Sequence, residues 1–472
     1  MEKPVKKHQE IELSITDLAY GGDGIAHIED FVIFVKNAVP GQKITARITK
    51  VKSSFAEAKI LDIVEQSPEY REAPCVYFDH CGGCTHQHLD YKTQLKYLHR
   101  QIIDLYCHLG GFGPVEVLQP IPSQSIFRYR NKMEFAFSEK RWLIDDFEAD
   151  KPENFALGLR APGNYWKAID LNDCLIAPEE TAIVLTAVRE FALANQLVAY
   201  NQKNHTGFLR HLVLRKAFIT NQLMINIVTN DDRHAIFQPL VNELQTSLDN
   251  LSCVVNTISR SWSGTTVGEK QYTLFGDDHI LEILGDLTFK ISPASFFQTN
   301  TVMAEKLYNI VRDSAGSSEQ DIVWDLYCGT GSIALYLARK AKAIIGFEIV
   351  KDAVKDAHIN ASLNTIHNAR FIEGDLDKLF LNNPDLLNDL PKPDILIIDP
   401  PRGGMHPKLV EIVADLHPRT IVYVSCNPAT QVRDIKMLLE LVPYTIDKIQ
   451  PVDLFPHTPH IEVVTKLSLS PV

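Results

Sequence analysis

A chain of 472 residues is longer than one ordinary core organises, so two or three domains are expected. Its 45% hydrophobic and 22% charged content suits a soluble globular protein; no apolar run is long enough for a bilayer and no secretion signal follows Met1, so a cytoplasmic protein without a membrane partner is expected. A net charge of -12 speaks against coating nucleic acid along the whole surface, while leaving room for a local basic groove.

Between Glu10 and Glu65, short alternating runs at 11–15, 31–35, 44–51 and 58–63 are separated by the turn residues Gly21, Gly22, Gly24, Pro40 and Gly41. That rhythm predicts a small β-barrel. Residues 1–66 resemble a TRAM domain, an OB-like RNA-binding barrel attached to RNA-modifying enzymes. Leu95, Leu98, Ile102, Leu105 and Leu109 then recur at helical steps, and Gly110-Gly111 follows, so an amphipathic helix over 94–109 is expected to pack on a later domain. Residues 67–290 read as a mixed α+β central domain, with strand-like runs at 133–137, 212–214 and 223–228 and no strand-helix-strand rhythm. From 291 onward the rhythm becomes apolar strand, helix, apolar strand, with strands at 322–326, 343–347, 395–398 and 421–424. This predicts a doubly wound, Rossmann-like α/β domain over 291–472.

The eight cysteines of a long cytosolic chain point to metal binding or catalysis before disulfides. Cys75, Cys81 and Cys84 share a loop with Gly82-Gly83, and Cys174 stands far downstream. Four thiolates suit zinc or an iron-sulfur cluster, and His80, His86 and His88 nearby tilt the spacing toward zinc. Cys107 and Cys253 lack a partner motif and read as buried thiols, as does Cys328 inside a strand-to-helix turn.

That turn, Asp325-Leu-Tyr327-Cys-Gly329-Thr-Gly331-Ser332, places glycines where a backbone must approach a ligand closely. Glu348 ends the next strand, where a carboxylate can accept from both ribose hydroxyls, and Asp375 ends a third, where an adenine edge would lie. A third dinucleotide-type glycine is missing and the turn is short, which favours S-adenosylmethionine over NAD. Asp399-Pro-Pro-Arg402 and Ser425-Cys426-Asn-Pro428 follow later strands at the sheet edge where open α/β folds bind ligands. A thiolate adding to C6 of uracil makes C5 nucleophilic enough to take a sulfonium methyl, and a base must then remove the C5 proton. Cys426 is the candidate nucleophile, and Glu462, in a loop entering the last apolar strand, is the candidate base. Because an ordinary thiol with a pKa of about 8.5 is largely protonated at neutrality, Arg402 and the adjoining strand ends are expected to help it ionise.

Ser292-Pro-Ala-Ser-Phe-Phe-Gln298-Thr-Asn, the glycine turn, Asp399-Pro-Pro-Arg402, Ser425-Cys426-Asn-Pro428 and Phe455-Pro-His-Thr-Pro-His-Ile-Glu462 together resemble the motif set of the bacterial RNA uracil-C5 methyltransferases over nearly the whole chain. The resemblance implies cofactor or active-site roles for Gln298, Tyr327, Glu348 and Asp399, with Cys426 as nucleophile and Glu462 as base. Related cytosine enzymes carry a cysteine where this chain has Arg402, so uracil is preferred. The resemblance also reverses the metal reading, since ribosomal-RNA members hold a four-iron four-sulfur cluster with cysteines arranged like Cys75, Cys81, Cys84 and Cys174. It implies 23S ribosomal RNA as the partner of a monomeric enzyme; the dedicated bacterial enzymes for the transfer-RNA T-loop generally lack the barrel and the cysteines. Phe127-Arg128-Tyr129-Arg130-Asn-Lys132 interleaves cations with aromatics and suits RNA contact, and Lys203, His205, Arg210, Arg215 and Lys216 add positive charge. A radical iron-sulfur enzyme is disfavoured by the long gap between Cys75 and Cys81, and a decayed, non-catalytic RNA binder by the presence of both Cys426 and Glu462.

Overall fold

A computed structural model describes residues 3–144, 152–382 and 389–470. The N-terminal segment forms a six-stranded sheet in the order Glu10–Ser14, Lys43–Val51, Phe55–Glu65, Phe31–Lys36, Gly24–Ile28, Asp17–Leu18. Alternate residues Ile33, Val35, Ile44, Ala46 and Ile48 are fully buried, so the period of two read in the sequence faces a single barrel core. The strand at Gly24–Ile28 lies where only turn glycines had been read.

The helix begins at Tyr91, where the Asp90 carboxylate accepts from the backbone N–H groups of Lys92 and Thr93. It runs to Asp104 and widens into a π-turn over Leu105–Gly110, with Gly111 left-handed at φ 69° beyond it. Leu98, Ile102 and Tyr106 share a core with Leu396, Ile398 and Tyr423 of the C-terminal sheet, so this helix clamps one face of that sheet. Its other side holds the barrel: Gln101 Nε2 donates to the carbonyls of Leu18 and Ala19 at 2.9 and 3.1 Å, and Arg100 pairs with Asp17 at 2.9 Å.

The central sheet has seven strands in the order Lys270–Gly276, Leu251–Ile258, Leu223–Thr229, Leu209–Lys216, Lys132–Ser138, Ala156–Ala161, Asn164–Asp170. Contrary to the sequence reading it contains one parallel crossover, since Leu223–Thr229 pairs in parallel with Leu251–Ile258 across the helix Gln238–Ser247. Leu223–Thr229 is buried throughout and Leu251–Ile258 at every position but Ser252, so they lack the alternation that marks a half-exposed strand. One face is covered by the helices Thr181–Ala194 and Gln238–Ser247. From the other, Ala217, Met224 and Val255 enter the core that Val323, Ile397 and Val424 of the C-terminal sheet also line, so the two units share packing.

The C-terminal sheet runs Ala369–Glu373, Ala343–Glu348, Ile322–Leu326, Ile395–Ile398, Thr420–Ser425, Glu462–Leu469, Tyr444–Val452. The first five strands are parallel, Glu462–Leu469 runs antiparallel to them, and the edge strand Tyr444–Val452 runs with them again, which is the Rossmann-like methyltransferase order. No helix among the described residues is long and apolar enough to cross a membrane.

Candidate active site

The antiparallel pairing of two strands of the C-terminal sheet brings the two candidate catalytic groups together. Thr420–Ser425 and Glu462–Leu469 are paired from Thr420 opposite Ser468 to Ser425 opposite Val463, and one further step in that register sets Cys426 opposite Glu462. Both line a cleft of about 1320 Å³ together with Asp399, Arg402, Gln298, Tyr327, Gly329, Glu348 and Asp375. The buried Gln431 amide ties the pair of strands together, donating to the Tyr423 and Val463 carbonyls at 2.8 and 3.0 Å.

Burial and the Asp399 carboxylate beside it push Glu462 well above the ordinary carboxylate range, with Arg402 opposing the shift; Asp399 is raised by burial too. The Cys426 thiol is pushed up to about 11, first by burial and then by the negative fields of Glu462 and Asp399, while Arg402 pulls it down. A thiol, two carboxylates that hold protons unusually strongly and one guanidinium thus share a single wall. Opposing that expectation of an easily ionised thiol, the strand ends here raise the barrier to ionisation because they carry acids.

The other half of the cleft is built by the glycine turn. Gly329 and Gly331 are left-handed, at φ 54° and 79°, and a Cβ on Gly331 would come within 2.9 Å of the Phe371 ring. Glu348 accepts from the Gly329 and Val350 backbone N–H groups at 3.0 and 2.8 Å, which fixes the carboxylate at the cleft wall. Gln298 is almost fully buried and its carbonyl accepts from Asn131 Nδ2 at 2.8 Å, while Asp375 pairs with Lys378 at 3.1 Å. Gly331 and Ser332 do not reach the cleft; Ser332 is hydrogen-bonded at 2.9 Å to the Tyr308 hydroxyl behind the turn.

The tRNA (uracil-5-)-methyltransferase family matches residues 185–469, more than half of the chain, and the TRAM domain matches residues 4–61. The chain belongs to the tRNA (uracil-5-)-methyltransferase family. It is 42% identical to an uncharacterized RNA methyltransferase of Chlorobaculum tepidum, covering 97% of this chain and 96% of that one. An uncharacterized RNA methyltransferase of Clostridium tetani is 39% identical, covering 98% of each. The crystal structure of the Pyrococcus abyssi tRNA (uracil-54, C5)-methyltransferase in complex with S-adenosyl-L-homocysteine superposes with a TM-score of 0.73 at 30% identity, covering 97% of this chain and 99% of that one. This chain is accordingly an RNA (uracil-5-)-methyltransferase with a TRAM domain.

In that setting the basic residues read as RNA contacts divide. Arg130 and Lys132 do line the cleft, and Arg402, exposed at its rim, meets His460 Nε2 at 3.0 Å. Arg128 does not: its guanidinium is forked onto Asp173 at 2.9 and 2.5 Å and donates to the Cys174 carbonyl, bracing the cysteine loop. Phe127 stacks on His457 at 4.5 Å and Tyr129 is buried with its hydroxyl on the Pro456 carbonyl, so neither ring is offered to a base. Arg210 and Arg215 are also buried, the former on the Ser259, Ser261 and Ser263 carbonyls and the latter on that of Ser295, and Lys216 pairs with Glu180 at 2.6 Å. A cation-aromatic string has the same composition whether its cations meet phosphate or carbonyl oxygen, so the sequence could not separate the two uses.

One barrel residue had not been singled out. Tyr20 comes beside the active site, its hydroxyl 3.5 Å from Asn427 Oδ1 and its proton held tighter first by burial and then by the field of Cys426, with Arg402 opposing. Its signal was only its place in a glycine turn.

The four cysteines Cys75, Cys81, Cys84 and Cys174 are free of disulfides and the thiols of Cys81 and Cys84 are pushed up to about 12, first by burial and then by the charges of the neighbouring cysteines. The topology therefore gathers them. Among the described residues, however, no group of three or more histidine, cysteine or acidic side chains closes into a metal shell as it stands. His86 and His88 are buried, and their electrostatic neighbours are other histidines and Asp79, not the thiols. Cys253 and Cys328 are buried as read, while Cys107 is only half-buried.

Proposed function

We propose that this enzyme methylates C5 of a uridine in 23S ribosomal RNA, acting as a monomer, with Cys426 as covalent nucleophile and Glu462 as base. The observation that carries the chemistry is the strand register that faces Cys426 with Glu462 in one cleft beside Asp399 and Arg402. S-adenosylmethionine, when bound, supplies an electrophilic sulfonium methyl group. Glu348 fits its ribose hydroxyls and Asp375 its adenine edge, while Tyr327, Gly329, Gln298 and Asp399 wall the remainder; Gly331 and Ser332 shape the turn from behind. Addition of the Cys426 thiolate to C6 forms the C6–S bond and shifts an electron pair onto C5, which takes the methyl group. Glu462 then accepts the C5 proton and the C6–S bond breaks, restoring the ring double bond and the thiolate. A carboxylate made more basic by burial suits that proton transfer better than an exposed one. A target uridine must leave its stack to reach Cys426, which favours loops and bulges.

Cys426→Ala is expected to abolish methyl transfer while retaining cofactor binding by calorimetry. Glu462→Gln is expected to accumulate a covalent RNA adduct on a denaturing gel. Wild-type turnover in the first, or no adduct in the second, removes the corresponding assignment.

A second reading is the same reaction on transfer RNA, favoured by the full-length likeness to the Pyrococcus abyssi enzyme, whose coverage includes the barrel region that the sequence reading had taken to separate the two substrates. Mapping 5-methyluridine in both RNAs from cells lacking this protein decides between them: loss from 23S ribosomal RNA supports the first, loss from the T-loop the second.

The same proposal assigns Cys75, Cys81, Cys84 and Cys174 to a four-iron four-sulfur cluster that pins the 67–290 unit. Four mutually sensed, disulfide-free thiols suit it, as does the Gly83 backbone N–H donating to Cys81 Sγ at 3.3 Å. Anaerobically purified protein is expected to carry about four irons per chain and Cys174→Ser to lose them; zinc in their place would point to the other all-thiolate site.

A further inference from the structure

Trp262 is the most exposed large hydrophobic side chain among the described residues, at 78%. It stands on the connection between the strands Leu251–Ile258 and Lys270–Gly276, away from the residues used by the chemistry. Exposure alone is ordinary for a single apolar side chain; what sets this indole apart is how it is held and what adjoins it.

The segment that carries it is held rigid from below. Arg210 is 2% exposed, and its guanidinium donates to the carbonyls of Ser259, Ser261 and Ser263 at 2.8, 2.6 and 2.6 Å while lying 4.2 Å over the Tyr200 ring. The Tyr200 hydroxyl meets His205 Nδ1 at 2.9 Å, and the His205 ring stacks on Trp262 with centroids 4.9 Å apart and planes 16° from parallel. One indole face is thus backed by imidazole and, at this exposure, the other is open.

A cavity of about 680 Å³ adjoins the indole, and Arg233 and Arg260 line it. The Arg233 guanidinium, exposed, lies 3.9 Å over the Phe208 ring; Arg260 is oriented by Glu269 at 3.2 Å and by Asp231 at 3.9 Å. The same connection runs back to the catalytic cleft: Val267 lines that cleft, and Thr266 donates to Glu134, another of its lining residues, at 3.4 Å. Five residues of chain span at most about 18 Å, so Trp262 lies within a few nucleotides of the cleft wall.

We propose that Trp262 is a second base platform, on which an unpaired nucleobase of the substrate RNA a few nucleotides from the target uridine stacks, with its phosphate meeting Arg233 and Arg260. This rests on the reading of the chain as an enzyme acting on folded RNA, and it extends the RNA-binding face from the cleft onto the central sheet. A flat, rigidly backed indole beside cations binds any base by its π-face and so adds affinity without demanding a sequence.

The test compares the full-length wild-type protein with Trp262→Ala and Trp262→Phe, using unmodified 23S ribosomal RNA and transfer RNA transcripts in the presence of S-adenosylhomocysteine. Trp262→Ala is expected to weaken binding of whichever unmodified transcript is the substrate at least about fivefold and, with S-adenosylmethionine in place of S-adenosylhomocysteine, to raise the RNA concentration for half-maximal methylation by the same factor. Trp262→Phe should restore most of the affinity yet lose the indole quenching that RNA causes in the wild type. Arg210→Ala, which frees the segment without touching the indole, should weaken RNA binding in the same sense. Unchanged affinity of Trp262→Ala for whichever transcript the wild type methylates overturns the platform and leaves the proposed reaction standing. If the wild type methylates neither transcript yet its indole is quenched on binding, the platform stands and the proposed substrates fall. A protein that pulls down with the wild type and not with Trp262→Ala, with RNA affinity unchanged, replaces RNA by protein as the occupant and also overturns it.

Discussion

Cys426 sits at the start of the helix Pro428–Leu441, a position whose N–H dipoles ordinarily favour a thiolate, yet its proton is held more tightly than usual. The loss of hydration, and after it two acids in the same wall, outweigh the helix end and Arg402. Only the thiolate is alkylated, so its fraction below the pKa falls tenfold for each unit by which that pKa rises. In the cofactor-free protein the reaction of Cys426 with iodoacetamide, followed by mass spectrometry, should therefore still be climbing steeply at pH values above about 9.5, where an ordinary thiol of pKa about 8.5 has levelled off. Glu462→Gln removes a negative field, lowers the thiol pKa and should speed alkylation at about pH 8 several-fold. An unchanged rate in that variant would show that Glu462 does not reach the sulfur. The residue types at this site were legible in the sequence. The direction in which they shift one another was not, because it depends on which acid lies across a strand pair.

At the scale of elements, the site is a consequence of ladder register. A slip of one residue between Thr420–Ser425 and Glu462–Leu469 would turn the Glu462 side chain to the opposite sheet face. Gln431 guards against this, its amide bridging the two strands and its Oε1 accepting from the Tyr106 hydroxyl at 2.9 Å. Gln431→Ala leaves these buried groups unpartnered and opens a void; it should cost about 2–4 kcal/mol of stability by denaturant titration. At temperatures where the variant stays folded, kcat should fall more than cofactor affinity does. Four of the five parallel strands of the C-terminal sheet are legible as apolar runs; Ala369–Glu373 is marked only by the Asp375 beyond its end. The crossover in the central sheet and the π-turn after Asp104 could not: continuous burial erases a strand's period, and a π-turn follows from packing against the helix Pro428–Leu441.

For the molecule as a whole, a net charge of -12 must be reconciled with an RNA substrate. Several basic residues in the two candidate patches are engaged with acids or carbonyls, Arg128, Arg210, Arg215 and Lys216 among them, and Lys132, though it lines the cleft, pairs with Glu134 at 2.5 Å; Arg130 and Arg402 are the patch cations at the cleft without a carboxylate partner among the described residues. With these and the Arg233 and Arg260 of the proposed platform as phosphate partners, log affinity should fall with log salt at a slope set by a handful of contacts. Arg130→Ala should weaken every RNA alike and reduce the slope of log affinity against log salt by about one. An unchanged slope would place Arg130 off the phosphate path. The helix joins the barrel to the C-terminal sheet, and Tyr20 brings the barrel beside the cleft, its hydroxyl 3.5 Å from Asn427 next to Cys426.

What the order of residues determined unaided was local: the alternation of the barrel, the helix over Leu98 and Ile102, the glycine turn, and the thiol and carboxylates at strand ends. These follow from periodicities and backbone freedoms acting over a few neighbours. Tertiary structure alone decided that Cys426 faces Glu462, that Arg128 and Arg210 serve carbonyls and acids inside the protein, and that Trp262 stands bare on a fixed segment. Each of these depends on strand pairing or burial between residues distant in sequence, where composition is silent about which partner a charge or a ring will meet.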